Sequence, residues 1–254
     1  MFSQLVSADA FALFLVFARV GSALMLLPGF GESFVSPRVR LLIALSLTVV
    51  VTPVVGDKLP AAPDSPIAMF MMLGSEILVG LFLGALARML LAALHIAGVI
   101  IGFQSSLANA DLFDPINATQ GSLIGAFLNI LGVFLVFYSD LHHLMLLAVA
   151  DSYTVFPPTA LPSISAAAGT AVDTLARSFS LAMQIAAPFI VVGLIFYLGI
   201  GLLARLMPQV QIFFIAIPIQ VTLAMLVMAL TLSAGMMWFL DYFEASFNFF
   251  LGRG

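Results

Sequence analysis

The sequence predicts an all-α integral membrane protein, and three observations carry that reading. Of 254 residues, 63% are apolar and only 8% are charged. Mean hydropathy is +1.22. Between Arg205 and Asp241 lies a run of 35 residues without a charge. Soluble domains carry about 25% charged residues, and a globule in water has no way to hide this much apolar side chain. The same figures exclude a disordered chain and a disulfide scaffold, there being no cysteine. With 8 Lys plus Arg against 12 Asp plus Glu, no basic surface suits nucleic acid. One membrane domain over residues 1–254 is expected.

About six hydrophobic segments follow in order. The first, 10–27, lacks a basic residue ahead of it and a small-residue cleavage site after it, so it reads as a retained helix rather than a signal peptide. The second, 41–55, is short against the ~20 residues a bilayer asks for. A polar loop at 56–66 concentrates Gly, Pro and Asp. The third segment runs 67–103 and the fourth 121–150, separated by a polar stretch at 103–122. A second polar loop at 151–173 holds three prolines, Pro157, Pro158 and Pro162. Segments at 174–207 and 212–240 complete the set, followed by an amphipathic tail. Pro188, Pro208 and Pro218 are expected break points, because proline lacks an N–H and crowds the preceding turn.

Charge does not orient the chain. With both ends of six spans on one side, that side holds Lys58, Arg177 and Arg253, and the other holds Arg38, Arg40 and Arg205. Three against three gives no positive-inside bias. The uncharged run after Arg205 would be about 52 Å long as a helix, against a hydrocarbon core of about 30 Å. Such a run tilts, breaks or leaves the bilayer.

Few polar residues interrupt the apolar segments. Glu76, Gly80, Gly84 and Arg88 follow one another at i+4, a stripe of small and ionisable residues; Gly98 and Gly102 repeat the small-residue spacing. Small residues at this spacing commonly let another helix approach, which is the plain reading. Glu76 needs more, because a carboxylate at membrane depth faces protein or water and has a partner. Arg19 and Arg88 are the two cations to choose from. Arg19 itself, mid-segment, reads first as a structural ion pair or a cap on backbone carbonyls, and second as a gating or transport residue. Most of the 24 Phe and 13 Met are lipid-facing or core residues; a deformable gasket around a pore is the sharper alternative.

No enzyme signature is present: no G-x-S-x-G, no phosphate-binding loop, and no dinucleotide fingerprint. No cofactor is expected. His142 and His143 are adjacent, so on a helix they diverge by about 100°. Two ligands on one face need i, i+4 spacing, so no metal site is expected there. The polar stretch between the third and fourth segments is a plain linker if it lies in water. At membrane depth it must instead be buried or line a wet cavity, as a constriction or plug.

The string RLMPQVQIFFIAIPIQV, residues 205–221, resembles the R-x-x-P-Q-x-x-[IV]-F-x-x-x-P block of the FliR/SpaR/YscT family of type III secretion export-gate proteins. Its matching positions here are Arg205, Pro208, Gln209 and Phe213, with Pro218 following one residue later than that spacing. Other family pieces fall in order: Arg19 with Pro28 and Gly29, then Pro37-x-Arg-x-Arg40, Glu76-x3-Gly80-x3-Gly84, and a loop G-F-Q-x-S through F-D-P. The similarity spans nearly the whole chain.

What the resemblance implies goes further than the composition. It implies long, broken or hairpinned helices like a fusion of FliP and FliQ, in a helical ring with those two proteins and one copy of this chain. FlhB and FlhA become expected partners, and unfolded export substrates the cargo. The location would be the bacterial inner membrane at the flagellar basal body, with much of the assembly raised toward the periplasm. Asn109, Ala110, Asp111, Leu112, Phe113, Asp114 and Pro115 would form an internal plug, with Leu112 and Phe113 as its apolar stoppers. The function implied is structural and non-enzymatic, a channel subunit of the flagellar export gate. An injectisome homologue is the alternative within the family. A small-solute or ion transporter using Glu76 and Arg19 is the alternative outside it, though the matching repeats of such a fold are not visible.

Overall fold

The computed structural model describes residues 2–107, 122–158, 163–207 and 212–250. Seven α-helices carry the described chain: α1 (Phe2–Leu26), α2 (Pro37–Val55), α3 (Pro66–Gln104), α4 (Leu123–Tyr138), α5 (Leu141–Val155), α6 (Ile164–Leu206) and α7 (Ile212–Phe250). A short 3-10 turn at Gly56–Lys58 follows α2. No strand occurs among the described residues, so the chain is an all-α membrane protein.

Several boundaries differ from those expected. α1 begins at Phe2 rather than near residue 10. α2 starts at Pro37 instead of 41, because Ser36 caps it with a side chain accepting from the Val39 N–H and Pro37 supplies a preset φ. The segment expected at 121–150 is two helices. Asp140 takes φ 60 and ψ 10 between them, and the chain bends there by 77°. The polar region 151–173 is mostly helical: α5 runs to Val155 and α6 already begins at Ile164. The tail continues α7 to Phe250. Pro188 and Pro218 lie inside continuous helices rather than at breaks, whereas Pro208 lies outside the described residues.

Among the described residues, four helices are long and apolar enough to cross a membrane, or five if α4 with α5 counts as one bent span. α3 and α7 have 39 residues and α6 has 43, about 58–65 Å each at ~1.5 Å per residue. That is about twice the ~30 Å hydrocarbon core. The four also differ in burial: the most apolar window of α3 is 50% buried against 17% for α2.

The chain forms two compact units. The first comprises residues 1–90, 136–175 and 243–254; the second comprises 91–135 and 176–242. In the first, α1 packs on α2 and both reach α5. Its α1 stripe is Leu15, Val16, Val20, Ala23 and Leu24, with Leu27 just beyond the helix end, all buried, a recurrence at three and four residues that marks one helical face. The ten-residue link from α1 to α2 turns at Gly29, whose φ is +80. Arg40 closes that turn by donating to the carbonyls of Phe30 at 3.0 Å, Glu32 at 3.0 Å and Val35 at 3.4 Å. In the second unit, Leu94, Ala97 and Ile101 of α3, Leu128 of α4, Ala182 and Phe189 of α6 and Phe239 of α7 are buried.

Candidate functional site

Arg19 falls in the middle of the buried α1 stripe, so the periodicity that builds the α1 face also carries a guanidinium into the interior. A cation there requires paired anions and filled donors. Arg19 Nε meets Glu76 Oε2 at 2.7 Å, and Nη2 meets Oε1 at 2.8 Å. This is the two-pronged geometry that suits guanidinium to carboxylate. Both side chains are about 1% exposed. Nη1 donates to Ser152 Oγ at 3.0 Å, and Nη2 donates again to the Phe156 carbonyl at 2.8 Å.

α5 positions those last two acceptors. Phe156 is the residue that caps its C-terminus, where the helix dipole favours a cation. Ser152 in turn donates to the Val149 carbonyl at 2.7 Å. The guanidinium carbon lies 3.8 Å from the centre of the Tyr153 ring, a cation–π contact in a dry setting. The Tyr153 hydroxyl lies close to the Glu76 carboxylate but makes no well-aligned hydrogen bond among the described residues.

The i+4 stripe on α3 also resolves. Successive i+4 steps advance about 40° around a helix, so Glu76, Gly80 and Gly84 share a face that Arg88, about 120° on, has left. A Cβ on Gly80 would meet the Arg19 carbonyl oxygen and, at 3.1 Å, the Ala23 nitrogen; one on Gly84 would meet the Ala23 carbonyl oxygen at 2.7 Å. The two glycines thus let α1 lie against α3 closely enough for Arg19 to reach Glu76. Arg88 is exposed and is not the partner of Glu76. Arg19 therefore ties three helices, α1, α3 and α5, at one enclosed point. Such a cluster holds a fold; it offers no open position to a solute.

A second polar cluster lies in the other unit; Gln104 and Ser106 come from the G-F-Q-x-S stretch, but nothing in the sequence paired them with Gln220. Gln220 of α7 is 5% exposed. Its Oε1 accepts from Ser106 Oγ at 2.8 Å, and its Nε2 donates to the Gln104 carbonyl and to Tyr197 Oη, the latter at 2.9 Å. Gln104 is the last residue of α3, where carbonyls lack helical partners. Gln220 thus caps α3 from α7, and Tyr197 brings in α6. Ser106 takes φ 59, a left-handed conformation uncommon outside glycine. For Gln220 itself the signal was an isolated amide inside a long uncharged run. Gln220→Leu would leave the Gln104 carbonyl and two hydroxyls without that partner. The expected cost is about 1–3 kcal/mol, read as a lower thermal midpoint of the detergent-solubilised chain.

The segment 108–121, which includes Asn109 through Pro115, lies outside the described residues. Its flanks do not. Ser106 is held by Gln220 on one side. On the other, Ser122 donates to the Gly98 carbonyl at 2.9 Å and caps α4 by accepting from the Gly125 N–H at 3.2 Å. Among the remaining motif residues, Arg205 is exposed in the last turn of α6, where a cation complements the helix dipole. Pro208 and Gln209 are outside the described residues, as is the side chain of Phe213. Pro218 is exposed within α7.

Residues 10–246 match the family described as bacterial export proteins, family 1. The chain belongs to that family. It is 40% identical over 225 residues to the flagellar biosynthetic protein FliR of Caulobacter vibrioides, covering 88% of this chain and 90% of that one. To the flagellar biosynthetic protein FliR of Pectobacterium carotovorum it is 32% identical over 216 residues, 85% of this chain and 82% of the relative. The Yop proteins translocation protein T of Yersinia pestis is 28% identical over 193 residues, 74% and 72% of the two chains. In this member of the export family, the enclosed Arg19–Glu76 pair and the Gln220 cap are two points, among the described residues, where polar groups are gathered inside the fold.

Proposed function

We propose that the chain is a structural, non-enzymatic subunit of the flagellar type III protein export gate, forming with FliP and FliQ the channel for unfolded export substrates. The observation that carries this reading is the family match, which spans residues 10–246 and so nearly the whole chain. Helix lengths support it: α3, α6 and α7 outlast a bilayer, and their exposed apolar residues, among them Leu194, Ile195, Leu198 and Leu230, need cover from neighbours as well as lipid. In this reading one copy joins a helical ring at the flagellar basal body of the inner membrane, raised toward the periplasm, with FlhB and FlhA beside it. The flagellar system is preferred to the injectisome because identity is 40% to the flagellar relative and 28% to the translocation protein.

Within that gate, residues Asn109 to Pro115 act as the plug, with Leu112 and Phe113 as its apolar stoppers. Support comes from the flanks, since Ser106 and Ser122 are both tied into helices of one unit. Deleting residues 109–115 is expected to make the membrane leaky to small solutes while the protein still accumulates and copurifies with two small membrane partners. Conductance equal to wild type would remove the plug. Normal secretion of hook and filament proteins in a strain lacking the chain altogether would remove the gate.

A further inference from the structure

We infer that the turn joining α4 to α5 is a binding site for a divalent transition-metal ion, held by Asp140, His142 and His143. Each of these side chains brings one ligand atom to within 4.8 Å of the other two. Adjacent helical residues ordinarily diverge by about 100°, and on that ground the sequence suggested no site. Here the two imidazole rings lie with centroids 4.0 Å apart, tilted by 37°.

The turn is the cause. Asp140 is left-handed at φ 60, and His142 lies flat on Phe137 at the end of α4, 4.8 Å between centroids and 7° between planes. That stack sets one imidazole, and the first turn of α5 carries the next beside it. Asp140 occupies the N-cap position of α5, yet its carboxylate makes no capping hydrogen bond. Instead Oδ1 faces His143 Nδ1 at 3.6 Å, longer than a hydrogen bond. His142 Nδ1 is buried and has no hydrogen-bond partner among the described residues, a state that native folds seldom leave uncompensated.

Two imidazole nitrogens and one carboxylate oxygen, without thiolate, suit zinc, nickel, cobalt or copper rather than magnesium or calcium. Tetrahedral zinc with bonds of about 2.0–2.1 Å sets its ligand atoms about 3.3 Å apart. The set therefore has to close by up to about 1.5 Å, a side-chain rotation open to Asp140 and His143 because both are exposed. The remaining positions go to water. The positive end of the α5 dipole opposes a cation, so binding depends on the Asp140 carboxylate. A bound ion pins the bend at Asp140.

The test is metal uptake by the full-length chain, purified in detergent through a tag without histidine. Zinc is titrated calorimetrically, and copper(II) is followed by electron paramagnetic resonance. The expected result is one ion per chain, a copper spectrum showing two imidazole nitrogens, and a thermal midpoint raised by zinc. Asp140→Asn and His143→Ala each weaken binding by about tenfold or more. His95→Ala, the third histidine of the chain, leaves it unchanged. His142→Phe keeps the stack on Phe137 while removing the nitrogen, so it loses the ion and keeps the apo midpoint. Uptake unaffected by Asp140→Asn and His143→Ala overturns the proposal, as does uptake lost in His95→Ala alone or magnesium bound as tightly as zinc.

Discussion

Arg19→Ala is expected to destabilise the chain by about 3–5 kcal/mol, the loss that follows when one member of a buried ion pair is removed and the other stays charged and dry. Glu76 would be left with about 1% of its side chain exposed and no cation beside it. The same change strips Ser152 Oγ and the Phe156 carbonyl of a charged donor. The measurement is the thermal midpoint of the detergent-solubilised chain, together with its steady-state level in the membrane. A midpoint within error of wild type would mean that Arg19 is not the tie between α1, α3 and α5.

The paired variant separates fold from function. Arg19→Met with Glu76→Leu removes both charges and keeps volume, and such exchanges are often neutral or stabilising. The double variant is therefore expected to regain most of the midpoint that Arg19→Ala loses. Restored accumulation with restored motility assigns the pair to the fold alone. Restored accumulation without motility gives it a part in export. Glu76→Gln falls between, since the amide keeps one acceptor but turns a donor toward the guanidinium.

How far the sequence could be read depended on what each residue's signal was. Apolar runs located α2, α3, α6 and α7, because burial in lipid or protein leaves a pattern that does not depend on partners. The pairing of Glu76 was not legible: Arg19 and Arg88 were equally available until the 40° drift of the i+4 row, together with the close approach at Gly80 and Gly84, separated them. Residues 164–173 looked like loop because prolines precede them, although Ala166, Ala167 and Ala168 are strong helix formers. The bend at Asp140 carried no glycine or proline to mark it. Gln220 was hidden for another reason. Its partners, Gln104, Ser106 and Tyr197, are distant in sequence, and a capping role for a lone amide depends on where another helix ends.

Glycines on α3 give the second large effect, and its sign changes along one helix. A Cβ on Gly98 would fall on the backbone of Gly125 in α4 and within 2.8 Å of the Ile124 carbonyl carbon. Backbone offers no rotamer to move, so Gly98→Ala has to push α4 away. Doing so also breaks the bond from Ser122 to the Gly98 carbonyl, 2.9 Å in the native fold. Overpacking usually costs about 1–3 kcal/mol; here the upper end or beyond is expected. On the facing helix, a Cβ on Gly125 would sit 3.0 Å from His95 Nδ1 and 3.2 Å from the His95 carbonyl oxygen. The His95 ring yields more readily than backbone, so Gly125→Ala is expected to cost less. Gly74, on the same helix as Gly98, has nothing within 4 Å of its Cβ position. There alanine gains up to about 1 kcal/mol of helix propensity, and Gly74→Ala should leave the midpoint unchanged or raised. Thermal midpoints in one detergent test the order Gly98 far worse than Gly125, and Gly125 worse than Gly74. An equal loss at Gly98 and Gly74 would trace the effect to helix flexibility and undo the close approach of α3 to α4 as its cause.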